Sequence, residues 1–316
     1  MTKKTHHMKK SVIICLLVLS CGISHAQQDP IFTQYMFNKL AINPAYAGSA
    51  EALSIDLMDR FQWVGMDGGP NTLSFTAQTN LPNPHLGVGL FVFRDALGPS
   101  VETGLMGSFA YRVLFPEGTL SMGVQFGFNH MNIDWGSLNP EDPNDPLLQD
   151  QVKQRAAPDA GVGIYFYGKK YYAGISSTHL MQNKIVVSQD VDNGTTSFDK
   201  LMRHFYAMGG GVISINENLD FRPAVLVKYT ANAPVQGDLS LALLINKVFW
   251  VGVSYRTENC LSLMAEVNIK KNLHIGYSYD AWFNQLQSYN KGSHEIRIGY
   301  DIDIFRTNRQ IYPRYF

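Results

Sequence analysis

The 316-residue chain has little cysteine, no surplus of either charge and, past its first 26 residues, no long hydrophobic run. Each absence removes a class of protein. Of three cysteines, Cys15 and Cys21 lie in an N-terminal apolar stretch, and Cys260 alone cannot form an internal disulfide, so the fold must be held by other means. Basic and acidic residues number 26 each, which gives no support for nucleic-acid binding. No stretch of roughly 18 uncharged apolar residues follows the N-terminal one, which excludes helical membrane spans. No Pro/Gly/Ser linker or composition break divides the chain, so one continuous architecture is expected. Signatures of chemistry are also missing: there is no Gly-x-Ser-x-Gly elbow, phosphate loop or Rossmann fingerprint. The histidines at 85, 130, 179, 204, 274 and 294 are scattered, with no pair at metal-ligand spacing. Zinc, cofactors and enzymatic activity are therefore not expected.

What is present begins with Lys9 and Lys10, an apolar run from Val12 to Ile23, and Ser24-His25-Ala26 ahead of a polar Gln27-Gln28-Asp29-Pro30. A positive region, about twelve apolar residues and a small-x-small site read as a cleavable secretory signal over residues 1–26. A rival reading makes Cys21 a lipidated first residue. On the cleavage reading, loss of Lys3, Lys4, Lys9 and Lys10 takes the 26 basic residues to 22 against 26 acidic.

Beyond the signal, strict alternation recurs, the mark of strands with two unlike faces. From Glu295 to Ile304, Ile296, Ile298, Tyr300, Ile302 and Ile304 oppose Glu295, Arg297, Gly299, Asp301 and Asp303. Leu261 to Lys270 and Leu120 to Asn129 repeat the pattern. Each run is about ten residues, the length at which a tilted strand crosses a hydrocarbon layer. The same reading places strands at 52–61, 71–79, 86–94, 104–114, 119–133, 159–167, 170–177, 204–215, 219–230, 237–246, 249–256, 260–269, 273–280 and 294–304. This predicts an all-β, transmembrane antiparallel barrel of about 14 strands over residues 52–305. Residues 27–51 form a segment before it and 306–316 a tail after it.

The connections between these strands alternate in length, 62–70, 95–103, 134–158, 178–203 and 281–293 being long and most intervening ones short, as in outer-membrane barrels with periplasmic N- and C-termini. Phe61, Trp63, Tyr111, Phe115, Tyr171, Tyr229, Phe249 and Tyr279 at strand ends suit interfacial girdles. A soluble β-sandwich also alternates, but its strands usually run about five or six residues. Fourteen strands enclose a space wider than side chains fill in an eight-stranded barrel. The polar face carries small residues, among them Gly87, Gly89, Gly161, Gly163, Gly174 and Gly276, where glycine marks close approach or kinks. An uptake channel and a plugged docking barrel both remain open at this point. The acidic loop Glu141 to Pro146 lacks the spacing of a calcium loop, and Asn193-Gly194 reads as a turn.

Gln28-Asp29-Pro30-Ile31-Phe32-Thr33-Gln34-Tyr35-Met36-Phe37-Asn38, followed by Asn43-Pro44-Ala45-Tyr46-Ala47-Gly48, resembles the start of the PorP/SprF family, outer-membrane proteins of the Bacteroidota type IX secretion and gliding machinery. Arg60 to Gly65, Gly69 to Thr72, Arg94 to Pro99 and Pro313 to Phe316 extend the likeness across the chain. The resemblance implies a non-enzymatic barrel in the outer membrane of a Gram-negative cell. Its implied partners are type IX ring components on the periplasmic side and a secreted cargo or adhesin with a C-terminal sorting domain. Candidate partner-binding or plug residues are Tyr35, Met36, Phe37 and Tyr46, which alternatively brace the barrel, with Arg314, Tyr315 and Phe316 in the tail. The runner-up function is a passive uptake channel.

Overall fold

The computed structural model describes residues 29–50, 52–134, 152–153, 156–190, 195–269 and 272–304. The expected signal, the acidic loop, Asn193-Gly194 and the tail with Arg314, Tyr315 and Phe316 lie outside them. In chain order the strands are β1 (Leu53–Phe61), β2 (Asn71–Asn80), β3 (Leu86–Leu97), β4 (Ser100–Phe115), β5 (Gly118–Ile133), β6 (Val152–Lys153), β7 (Ala157–Gly168), β8 (Tyr171–Thr178) and β9 (Lys184–Asp190). They continue with β10 (Thr195–Lys200), β11 (His204–Gly211), β12 (Ile213–Asn216), β13 (Leu219–Thr230), β14 (Gln236–Ile245), β15 (Phe249–Arg256), β16 (Cys260–Ile269), β17 (Leu273–Trp282) and β18 (Ser293–Ile302).

Fourteen of these form a closed antiparallel barrel in which each strand pairs with the next and β1 returns to β18, from Leu53 opposite Ile302 to Phe61 opposite His294. The short β12 prolongs β11 past Val212 along the start of β13. β6 extends the sheet beside the end of β5, and β9 and β10 make a separate hairpin. The barrel strands stand where alternation placed them, with three departures in the connections, the first being β6 within the loop expected at 134–158. The connection expected at 95–103 shrinks to Gly98-Pro99, because β3 and β4 pair up to Leu97 and Ser100. Alternation fades there although the ladder continues. The loop expected at 178–203 contains the β9–β10 hairpin.

The burial pattern is inverted relative to a soluble sheet protein. Arg60, Glu295 and Arg297 are at most 1% exposed, whereas Phe126 is 60%, Ile175 58% and Leu263 55% exposed. Water would penalise so continuous an apolar exterior, which soluble monomers keep to a few hundred Å²; lipid removes the penalty. Exposed aromatics gather at both rims: Phe61 and Tyr229 at the end bearing the long connections, Tyr111, Phe115, Tyr171 and Phe249 at the other. Trp63 departs from this girdle, since it turns back at φ 54° to set its ring edge-on against Trp282.

With strands about 4.8 Å apart and tilted by about 40°, fourteen of them close at a backbone radius of roughly 14 Å. Residues 29–50 occupy that interior. Phe32, Tyr35, Leu40, Ile42, Ala45, Tyr46 and Ala47 form one buried cluster with Met58, Ala110, Tyr165, Tyr172, Tyr206, Met208 and Leu226 of the wall.

Candidate functional site in the barrel lumen

The lumenal segment enters beside the long connections, where Asp29 meets Thr178 and His179 at the end of β8. It leaves at the opposite rim, where Gly48 meets Gln78 and Gly87. Asp29 and the end of β18 thus lie at opposite ends of the barrel. The segment lacks periodicity, so its direction through the lumen was not legible.

Polar groups of the wall hold the segment residue by residue. The backbone N–H groups of Thr33 and Gln34 donate to the two carboxylate oxygens of Glu295 at 2.9 and 2.8 Å. The Thr33 hydroxyl donates to Asp280 at 2.9 Å and accepts from Arg60 at 2.9 Å. Arg60 in turn pairs with Asp280 at 2.6 Å and Glu295 at 3.2 Å. Arg297 pairs with both Asp56 and Glu266. Buried charges survive only when paired and hydrogen-bonded, and these are arranged around the peptide they grip.

Further along, Phe37 lies 4.9 Å from the Arg297 guanidinium and edge-on to Trp250 at 5.0 Å. Asn38 accepts from the Thr76 hydroxyl at 3.1 Å. The Lys39 ammonium bonds the Met36 carbonyl and sits 4.9 and 5.2 Å from the rings of Tyr172 and Tyr46, a cation–π arrangement. Asn43 caps the 3-10 turn Pro44–Tyr46 by accepting from the Ala45 N–H at 2.9 Å. Its amide also donates to the Ile164 and Ile175 carbonyls of β7 and β8 at 3.1 and 3.4 Å. Glycines of the wall make this approach possible: a Cβ at Gly123 would stand 2.3 Å from the Ala45 nitrogen, and one at Gly163 2.1 Å from Asn43 Oδ1.

At the long-connection end, His179 joins Asp29 and Asp159 through its two ring nitrogens, each at 2.6 Å. Tyr206 donates to Asp29 at 2.7 Å, and His204 Nδ1 stands 3.5 Å from the same carboxylate. Burial alone would raise Asp29, but His179 and His204 outweigh it and hold the carboxyl well below its ordinary range. Burial alone would lower His179, yet Asp29 and Asp159 hold it well above an ordinary histidine. The histidines that looked scattered in sequence are therefore partly gathered in space.

Of the residues proposed from sequence, Tyr35 and Tyr46 are each 2% exposed and Tyr46 packs edge-on against Tyr165. Phe37 rests on Arg297 and Trp250, and Met36 flanks the cluster. All four face the wall from within the lumen. Sequence reasoning passed over Asp29, Thr33, Gln34 and Asn43 in the same motif, and Arg60, Asp280, Glu295 and Arg297 opposite them. The signal for the latter was a charge on the inward face of an alternating strand.

An apolar exterior with two aromatic rims, a closed fourteen-stranded wall and a polar, occupied interior define an outer-membrane β-barrel. Among solved structures the chain is similar to the CymD monoaromatic hydrocarbon channel, at 13% identity and TM-score 0.52 over 86% of this chain and 93% of that one. It also matches Omp33 of Acinetobacter baumannii, at 9% identity and TM-score 0.47 over 80% and 100% of the two chains. These likenesses concern the fold alone. No curated protein matches the chain. The family model of the type IX secretion system membrane protein PorP/SprF matches residues 24–300, and the chain belongs to that family.

Proposed function

We propose that the protein serves the type IX apparatus as a plugged docking barrel that supports export or surface attachment of a partner protein, such as a large adhesin with a C-terminal sorting domain. The observation that carries this reading is the lumen filled by residues 29–50, where a passive channel requires a water path. Residues 1–26 direct export, and the short-turn rim faces the periplasm, where Arg314, Tyr315 and Phe316 of the tail meet ring components. The long connections then face outward, as does the Asp29 end of the lumenal segment. Tyr35, Met36, Phe37 and Tyr46 hold the plug, and a cargo reaches them only when the segment moves.

Two measurements test the reading. Pull-down of the tagged protein from native outer membranes in mild detergent should retain type IX ring subunits or one large protein with a C-terminal sorting domain. In planar bilayers the intact protein should conduct little and a variant lacking residues 30–48 should conduct steadily. Recovery of the barrel alone together with stable conductance of the intact protein would overturn the proposal in favour of a porin.

A further inference from the structure

Asp29, His179 and His204 each offer one ligand atom, and these atoms lie within 4.8 Å of one another. The three come from separate elements: the lumenal segment, the residue after β8, and the first residue of β11. Zinc bonds nitrogen and oxygen at about 2.0–2.2 Å, so tetrahedral ligand atoms stand roughly 3.3 Å apart. The 3.5 Å between His204 Nδ1 and Asp29 Oδ2 is already close to that spacing. The 2.6 Å contact between His179 Nε2 and Asp29 Oδ1 would open by somewhat under 1 Å to admit an ion with such bonds.

Two further observations point to a ligand. His204 is 2% exposed, yet among the described residues its Nδ1 makes no well-formed hydrogen bond, the Asp29 carboxylate standing 3.5 Å away, a costly state for a buried polar atom. His179 gives Nδ1 to Asp159 at 2.6 Å, which turns Nε2 toward Asp29. A carboxylate that fixes a histidine from behind in this way is the usual companion of a metal-bound imidazole. Beside the group lies a cavity of ≈ 40 Å³ that Asp29, Asp159, His179 and Tyr206 line on one side and apolar side chains such as Phe91 and Phe93 on the other.

We propose that Asp29, His179 and His204 bind one divalent transition-metal ion of the zinc type, with Asp159 as the positioning residue for His179. The ion ties the first described residues of the lumenal segment to the wall at the long-connection end. This holds whatever partner the barrel serves.

The test uses the mature protein in detergent, purified without a polyhistidine tag, stripped with a chelator and titrated calorimetrically with Zn²⁺. One site per chain is expected. His179→Gln or His204→Gln should weaken it at least tenfold, and Asp159→Asn by about 10–100-fold, with the heat-modified gel shift of the folded barrel unchanged. A wild type that takes up no Zn²⁺, or binds it no better than the His179→Gln/His204→Gln double variant, overturns the proposal. Should the variants fail to fold, Co²⁺ loaded into the wild type decides. Tetrahedral visible bands with nitrogen scatterers in X-ray absorption support the site, and an octahedral all-oxygen or featureless spectrum refutes it.

Discussion

Replacing Gly123 by alanine should loosen the lumenal segment while leaving the barrel intact. The added Cβ would stand 2.3 Å from the Ala45 nitrogen and 2.5 Å from both Ala45 Cα and the Pro44 carbonyl carbon, where ordinary contact begins near 3.4 Å. These atoms are backbone in a capped turn, so no rotamer relieves the overlap and the turn must lift by about 1 Å to regain van der Waals distance. That displacement breaks the two bonds that Asn43 donates to the wall, to the Ile164 and Ile175 carbonyls. At about 1 kcal/mol each, the loss is about 2 kcal/mol, or roughly thirtyfold in the docked population at 1.4 kcal/mol per decade. Amide exchange read by mass spectrometry should accelerate by that factor in peptides covering residues 38–50, with strand β5 still protected. Gly107→Ala is the control, because its Cβ would meet only the Phe126 carbonyl oxygen at 3.8 Å. Equal protection of residues 38–50 in both variants would refute the account of glycines as the bed of the segment.

Arg297→Met leaves Asp56 and Glu266 buried without their cation and should destabilise the barrel by about 3–5 kcal/mol. Adding Asp56→Asn and Glu266→Gln should recover most of that in the midpoint of urea-induced unfolding in liposomes. Val253→Arg, on an outward row with Leu241 and Leu263, should cost about 2–4 kcal/mol in the same assay, and Phe249→Arg at the rim about 0–1. Equal costs at the two positions would contradict the assignment of rim and midplane.

Strand positions were legible because lipid on one side and the lumen on the other impose a period of two over the whole width of the membrane. Where both faces leave lipid, as from Arg94 to Leu97, the constraint lapses and the longer reach of β3 and β4 went unseen. The same holds for Lys184 to Asp190, whose sequence shows no two-faced pattern although the chain pairs with β10. Inward glycines announced that something comes close, but an aperiodic segment such as residues 29–50 carries no sign of what it packs against. The grip on Thr33 was hidden for another reason. Arg60, Asp280 and Glu295 belong to three different strands and meet through barrel closure over separations of 220 and 235 residues. Asp29, His179 and His204 are likewise gathered by topology, and rules built on local ligand spacing are blind to such a group.

The crossed pairs Arg60 with Glu295 and Arg297 with Asp56 straddle the junction of β1 and β18, and Thr33 and Gln34 are held by the same Glu295. The first and last strands to be synthesised are therefore stitched together through a peptide that lies inside the cylinder. A chain still missing its last strand lacks the carboxylate that takes the Thr33 and Gln34 N–H groups, and a cylinder shut without the peptide would entomb unmatched charges. Completing the wall and seating the peptide are one event, so an assembly factor that releases only closed barrels releases only filled ones.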